Sequence, residues 1–171
     1  VLAINDMAAS SFPFPCNGIS LGVFPFFIES CGGKNKLEGM TTADICEKFV
    51  KPKTLETRLS YCDWLSMQPN ISNSCAVAKA NVFISHAWKY LFLDVVQALE
   101  NHFQDKEETV ILWFDLFSNN QHIAVDLDFH WWCATFKSAI NDMKHTVMIF
   151  SPWNDPIPLT RAWCLFELYC T

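Results

Sequence analysis

No glycine occurs after Gly39, although the chain runs to residue 171. Phosphate-binding loops need glycine because only a backbone without a Cβ atom can turn tightly and approach phosphate oxygens closely. The main body of the chain therefore contains no P-loop, no dinucleotide-binding fingerprint and no G-x-S-x-G nucleophile turn. This absence excludes most nucleotide triphosphatases, classical dehydrogenases and serine esterases.

Charged residues are few, at 18% of the chain, while hydrophobic residues make up 51%. A chain this apolar is not typical of intrinsic disorder. The net charge of -6 argues against a surface for nucleic acid or for an anionic membrane, because either would need an excess of Lys and Arg. The longest apolar run, around residues 21–28, contains Pro25 and is much shorter than the ~20 residues of a membrane span. We therefore expect neither nucleic acid nor a membrane as a partner.

Cysteine pairs with metal-binding or redox spacing are also missing. The eight cysteines are spread along the chain, and none belongs to a C-x-x-C pair. This spacing disfavours zinc, and an apolar chain that can build a core without cross-links favours reduced thiols in a cytoplasmic protein. No basic residue precedes Lys34, so the N-terminus is not typical of a secretory signal. Because the chain begins with Val1 rather than Met, we expect that residues precede it.

Residues 1–79 are interpreted as an N-terminal extension that is irregular to about residue 40 and then forms short helices. Thr41 and Asp44 have the spacing of a capping box, which predicts a helix that begins there and ends before Pro52. Thr54 is the predicted cap of a second helix. Four apolar side chains of the extension are expected to pack onto the following domain: Phe24, Phe26, Phe27 and Ile28.

The second part of the chain alternates between apolar runs and helical patterns. The apolar runs predict buried strands at 81–86, 110–114 and 146–150. Apolar residues at helical spacing follow the first two runs, and a last helix is predicted from about Arg161. This order predicts a parallel sheet with flanking helices, which is an α/β fold. Because three strands make a small sheet and the last helix ends with the chain, we expect that the domain is truncated and has further strands.

Polar and aromatic side chains occur where these strands end. In an open parallel sheet, ligands bind outside the carboxyl ends of the strands. Trp163 and Glu167 are four residues apart on the last helix, so they share a face directed at the same rim. A carboxylate beside a tryptophan in a cleft is partly desolvated, which suits contact with a sugar hydroxyl or a developing cation. The residues at the strand ends are Ser85, His86, Trp88, Asp115, Ser118, Asn119, Ser151 and Trp153.

Three segments resemble the Toll/interleukin-1 receptor (TIR) domain family. NVFISHAWK resembles the first conserved box of the family, and ILWFDLFSN resembles the second strand and the start of the BB loop. TVMIFSPWNDPIPLTRAWCLFELYC resembles the third strand and the Trp-Cys-x-x-Glu helix, and it is the most specific match. The resemblance covers residues 80–171 and implies a flavodoxin-like TIR domain of the variant found in large protist and algal proteins. The Pro-Gly of the BB loop is absent.

This resemblance implies a signalling domain that hydrolyses NAD+ to nicotinamide and ADP-ribose, or a cyclic form, through the glutamate of the Trp-x-x-x-Glu pattern. That glutamate is Glu167, and the tryptophan is Trp163. A carboxylate near the ribose hydroxyls stabilises the positive charge that grows as the nicotinamide–ribose bond breaks. NAD+ enters as a substrate, and no cofactor or metal is expected. The expected substrate contacts are Trp163, Trp88, Ser85, His86, Asp115 and Ser118.

Two other functions stay open beside hydrolysis. Many TIR domains are non-catalytic interaction modules that self-associate through TIR–TIR contacts. A nucleoside-transferring enzyme of related architecture would instead use the glutamate to attack the sugar. NAD+-cleaving TIR domains generally act as oligomers, so self-association is expected in the catalytic case as well.

Structural roles are also open for the same side chains. Glu167 could be a solvated helix residue, Trp163 a core side chain and Trp88 a cap on the sheet edge. Ser85 and His86 cannot pair directly, because adjacent residues of a strand point to opposite faces. Cys133 and Cys164 are expected to be buried thiols rather than nucleophiles. A solvated loop is preferred to a metal site for four residues of one polar segment: His122, Asp126, Asp128 and His130.

Overall fold

The structure, a computed structural model, describes residues 15–69, 76–104, 110–123, 129–143 and 145–171. Its strands in chain order are β1 (Asn17–Ser20), β2 (Val77–Lys79), β3 (Val82–Ser85), β4 (Ile111–Phe114) and β5 (Thr146–Met148). Its α-helices are α1 (Val23–Ser30), α2 (Lys34–Leu37), α3 (Thr42–Ile45), α4 (Lys51–Lys53), α5 (Tyr61–Ser66), α6 (Phe92–Phe103), α7 (Asp115–Ser118), α8 (Phe129–Met143) and α9 (Ala162–Cys170). A π-helical segment, Cys46–Val50, joins α3 to α4, and a 3₁₀ segment, Ile157–Thr160, precedes α9.

The five strands form one mixed sheet in the order β2-β1-β4-β3-β5. Strand β3 is parallel to both β4 and β5, and its Phe83 pairs with Trp113 on one side and Thr146 on the other. All four residues of β3 are buried, as expected for a parallel strand covered on both faces. The three strands predicted from apolar runs and the α/β class are thus confirmed.

The sheet is mixed rather than wholly parallel, because the N-terminal part adds two strands to it. Strand β1 is antiparallel to both β2 and β4. A Cβ atom at Gly18 would lie 2.3 Å from the carbonyl oxygen of Leu112, so this close pairing requires glycine at that position. Both parts of the chain therefore contribute to one sheet. The division into 1–79 and 80–171 stays a prediction.

Apolar side chains are buried on both faces of the sheet. Along β3, Val82 and Ile84 belong to one buried cluster and Phe83 to another, as the alternation of side chains in a strand requires. The larger cluster packs the sheet against α1, α5, α6 and α7. The smaller cluster includes Phe136 and Ile140 of α8, together with Phe83. None of the described helices combines the length and apolar character that crossing a bilayer requires.

The helix that begins at Thr41 has the predicted cap and a different end. Thr41 Oγ1 accepts the N–H of Asp44 at 3.2 Å, and Asp44 Oδ2 accepts the N–H of Thr41 at 3.1 Å, which confirms the capping box. The prediction that the helix ends before Pro52 is wrong, because α4 includes this residue. Proline disrupts the regular bonding of an α-helix from each N–H to the carbonyl four residues earlier. In the π-helical turn before Pro52 this pattern is already interrupted, because Lys51 donates its N–H to the carbonyl of Cys46, five residues earlier.

The predicted cap of the second helix is displaced by six residues. Thr54 closes the first helix instead, because its hydroxyl donates to the carbonyl oxygen of Val50 at 2.9 Å. Ser60 is the N-cap of α5, where its hydroxyl accepts the N–H of Asp63 at 3.0 Å. Hydroxyl side chains can bond the backbone at either end of a helix, so the residue type alone does not say which end it occupies.

Three of the four apolar side chains predicted to pack onto the domain are buried. Phe24 and Phe27 are wholly inaccessible to solvent, and Ile28 is 3% exposed. Phe26 is 46% exposed, because it lies on the outer face of α1. The extension thus supplies part of the main core, rather than a segment that only covers it.

Candidate functional site

A cleft of about 480 Å³ lies at the carboxyl ends of β3 and β4, against α9. This is the rim at which an open parallel sheet binds ligands. Five of the seven predicted site residues line it: Glu167, Trp163, Trp88, His86 and Asp115. The remaining wall residues are Cys46, Glu47, Lys51, Asn119, Gln121, Phe136, Arg161 and Cys164.

Helix α9 brings the Glu167 carboxyl group to the end of β3, where Ser85 donates a hydrogen bond to Glu167 Oε2. Glu167 is partly buried, so it is not a fully solvated helix residue. Burial raises the pKa of Glu167 to about 8, the charge of Asp115 adds to the rise, and the bond from Ser85 and the charge of Arg161 oppose it. At neutral pH the group is therefore mostly protonated in the unliganded protein.

Asp115 follows β4 directly and holds Trp88 against the wall of the cleft. The indole Nε1–H of Trp88 donates to Asp115 Oδ2. The other carboxylate oxygen, Oδ1, accepts the N–H of Leu116 at 2.8 Å. Two strand ends that are distant in sequence are thereby joined, and the bond limits the rotation of the Trp88 ring.

His86 lies deeper than the predicted rim position, since it is only 5% exposed. Its Nε2 atom is 3.2 Å from Thr42 Oγ1, and its ring stacks on Phe114 with centroids 4.8 Å apart. Its Nδ1 atom is 3.8 Å from Asp115 Oδ1, which is too long for a hydrogen bond. Burial lowers the pKa of His86 against the opposing charge of Asp115, so the ring is neutral. Ser85 and His86 do not pair with each other, as predicted.

Trp163 packs against other aromatic rings and also lines the cleft. Its side chain is 36% exposed. Its ring centroid is 6.3 Å from that of Phe136 and 6.4 Å from that of Phe166. A partly exposed aromatic ring on the wall of a cleft is suited to contact with a planar ligand.

Ser118 lies outside the cleft. It is 1% exposed, and its hydroxyl accepts the N–H of Phe114 at 3.3 Å. Its Oγ also lies 3.8 Å from the Sγ of Cys62. The hydroxyl therefore closes the turn after β4.

The polar loop considered for a metal is described only in part. His122 Nε2 lies 2.9 Å from Thr54 Oγ1. Asp126, Asp128 and the side chain of His130 lie outside the described residues. Among the residues that the structure does describe, no three side chains of His, Cys, Asp or Glu form a group that could hold a metal ion.

The two thiols on the wall are protonated at neutral pH. Burial raises the pKa of Cys164 to about 11 and that of Cys46 to about 12. Since the thiolate is the nucleophilic form, neither side chain is an activated nucleophile. Cys164 instead donates weakly to the carbonyl oxygen of His86, at 3.8 Å.

Sequence reasoning missed several wall residues. Asn119 is one of the strand-end residues but is not among the expected substrate contacts, and Gln121 follows it in the same polar loop; the strand-end rule points to both. Gln121 Nε2 donates to the carbonyl oxygen of Asp115 at 2.8 Å. Arg161 directly precedes the α9 motif, and its charge next to this motif was the signal in the sequence that could have identified it as a wall residue. No local pattern predicts that Lys51 of the extension meets this cleft.

Comparisons with known proteins do not identify a family for this chain. The chain matches no protein-family model, no curated protein and no solved structure. The assignment of a function therefore depends on the cleft and on the motifs of the sequence.

Proposed function

We propose that the protein is a TIR-like signalling domain of the cytoplasm that hydrolyses NAD+ to nicotinamide and ADP-ribose, or a cyclic form. The observation that carries this proposal is the Glu167 carboxyl group, which is partly buried, bonded by Ser85 and placed in a cleft with Trp88 and Trp163. The order β4-β3-β5 supports it, because the first of these strands along the chain lies between the other two, as in a flavodoxin-like sheet. The seven described cysteines are all free, in keeping with a reducing compartment.

The chemistry needs a negative charge more than it needs an acid. Nicotinamide leaves as a neutral molecule, because its ring nitrogen already carries a positive charge in NAD+. The ribose then carries that charge as an oxocarbenium-like state, which ionised Glu167 stabilises. Water adds to the anomeric carbon and loses a proton, so the products are nicotinamide, ADP-ribose and H+. In the cyclic form, a nucleophilic atom of the same ligand takes the place of water.

The raised pKa of Glu167 links substrate binding to ionisation. In the empty cleft the carboxyl group is protonated because burial disfavours its charge. A nicotinamide cation beside it favours the carboxylate, so binding displaces the proton. The size of the cleft, about 480 Å³, falls within the range of about 300–1,000 Å³ that is typical of small-molecule sites.

The affinity for NAD+ is expected to increase with pH and to level off above about 8, the pKa of Glu167. Below that value, ionisation must accompany binding, so each lower pH unit weakens binding by up to about tenfold. Calorimetry at pH 6, 7, 8 and 9, in buffers of different ionisation enthalpy, measures both the Kd and the proton released. Glu167→Gln is the control and should show no such pH dependence. Proton uptake, or a Kd independent of pH in the wild type, would contradict the proposed role.

The hydrolysis itself is tested by incubating the protein with NAD+ at high concentration and separating the products by chromatography. Release of nicotinamide together with ADP-ribose or its cyclic form is the expected result. An intact-mass measurement during turnover separates hydrolysis from transfer, since a transferase that uses the glutamate as nucleophile would leave a sugar adduct on Glu167. No release at a concentration where light scattering shows assembly would favour the interaction module.

Exposed apolar side chains favour that second function, a self-associating TIR-type module. Large apolar residues rarely cluster at the surface of a monomer unless they form an interface. Trp153 is 86% exposed and Tyr169 is 80% exposed. Four further apolar side chains of the same C-terminal region are between 42% and 45% exposed: Phe150, Leu159, Leu165 and Leu168. Such a module would assemble equally well with Glu167 replaced by alanine.

A further inference from the structure

Among the charged side chains of the cleft wall that the structure describes, Arg161 is the one that makes no hydrogen bond or ion pair. Lys51 Nζ is paired with Glu47 Oε1 at 2.5 Å. Asp115 accepts hydrogen bonds from Trp88 and from a backbone N–H. Within the described ranges, the Arg161 guanidinium has no hydrogen bond or ion pair, although it is half-buried on the cleft wall. The hydrogen-bond donors of this half-buried guanidinium are therefore available to a ligand that brings negative charge.

The charge of Arg161 acts toward the interior of the cleft. It opposes the rise in the pKa of Glu167 and of the Cys164 thiol, and it adds to the fall in the pKa of His86. The residue also directly precedes α9, and its side chain accepts no hydrogen bond from the first N–H groups of that helix. The partial positive charge of that helix end adds to the field of the guanidinium.

The spacing along α9 matches the dimensions of a nucleotide. Arg161 and Glu167 are six residues apart, which corresponds to about 9 Å along a helix axis. The guanidinium lies at the end of a long side chain and can move several ångströms from its Cα. A ribose held at Glu167 therefore has its 5′-phosphate within reach of Arg161. Arginine is the residue best suited to this contact, because its planar fork binds two phosphate oxygens at once.

We propose that Arg161 binds a phosphate group of the substrate and so restricts the cleft to ribosides that carry a 5′-phosphate or pyrophosphate. This inference rests on the proposed function, and it adds the class of substrate that the same site selects. A nicotinamide riboside without phosphate brings only positive charge and leaves Arg161 unmatched. A dinucleotide satisfies Arg161 and places its cationic ring beside Glu167.

The test measures binding rather than turnover, with ADP-ribose as the probe that carries phosphate and nicotinamide riboside as the probe that lacks it. In Arg161→Gln we expect about 10- to 100-fold weaker binding of ADP-ribose, the loss of one charge-assisted contact. The affinity for the riboside should not fall. Arg161→Lys should restore part of the affinity for ADP-ribose, since it keeps the charge without the fork. Thermal unfolding confirms that each variant is folded.

Lys51→Gln is the matched control, because it removes a cation from the same wall that Glu47 already pairs. Its effect on ADP-ribose binding should not exceed about threefold. Equal losses in Lys51→Gln and Arg161→Gln, or an ADP-ribose affinity unchanged in Arg161→Gln, would overturn the proposal. So would a wild-type protein that does not bind ADP-ribose. Binding that depends on Arg161 without any release of nicotinamide would instead refute the hydrolysis and leave the phosphate contact standing.

Discussion

Replacement of Glu167 by glutamine is expected to reduce the rate of nicotinamide release from NAD+ by about 100- to 10,000-fold. Glutamine keeps the shape of the side chain, and its amide oxygen can still accept the hydrogen bond from Ser85. It cannot carry the negative charge that stabilises the oxocarbenium-like state. Initial rates measured by chromatography at pH 9, where most of the wild-type Glu167 is ionised, give the comparison. The matched control is Glu29→Gln, the same change at an exposed position of α1.

The same substitution should stabilise the protein at high pH. Burial raises the pKa of Glu167 from the model-compound value of 4.5 to about 8. Between these values the folded protein binds a proton that the unfolded chain has lost, so the wild type loses stability as pH rises through this window. Glutamine does not titrate. We therefore expect Glu167→Gln to exceed the wild type by about 1–3 kcal/mol at pH 9, and by much less at pH 5.

Urea denaturation of both proteins at pH 5 and pH 9 measures this difference. Glu29→Gln should follow the wild type at both pH values, because the side chain is exposed. In the rate measurement, a Glu167→Gln variant that releases nicotinamide as fast as the wild type would rule out a catalytic role for Glu167. A stability difference that is the same at both pH values would mean that its carboxyl group titrates normally in the fold.

Replacement of Phe27 by alanine should lower the free energy of unfolding by about 3–5 kcal/mol. Its side chain is wholly inaccessible. The ring packs edge-on against Tyr61, Phe92 and Phe117, with centroids 5.3, 5.7 and 4.8 Å apart. Three separate helices meet at this ring, so the space left by alanine cannot be filled by one small movement. Urea denaturation monitored by circular dichroism measures the loss.

The neighbouring Phe26 provides the control for this measurement. Phe26 is 46% exposed on the same helix, so Phe26→Ala has the same chemistry and helix position but removes much less buried area. Its cost should stay below about 1 kcal/mol. Equal costs for the two variants would mean that α1 is not packed as described. A large difference would show that residues before 80 are needed for the stability of the sheet that holds the site.

Much of the site was predictable because strand ends are local features. The apolar runs placed the end of β4 correctly and the end of β3 within one residue, so Ser85, His86 and Asp115 could be named from the strand-end rule. The helical spacing of Trp163 and Glu167 placed both on one face of α9. Ser118 shows the limit of this reasoning, because it also follows β4 and yet lies buried outside the cleft. Distance from a strand end along the chain does not give the direction of a side chain in a turn.

The amino-acid sequence by itself determined the α/β class, the three parallel strands and the capping box at Thr41, because each depends on residues close together in the chain. Only the tertiary structure decided that β1 and β2 extend the sheet, since short antiparallel strands pair through contacts distant in sequence and have almost no local pattern. Only the tertiary structure also decided the raised pKa of Glu167 and the place of Arg161 on the cleft wall, where it has no hydrogen-bond partner among the described residues. Burial and the neighbours of a charge are set by which elements pack together, and no spacing along the chain encodes them directly.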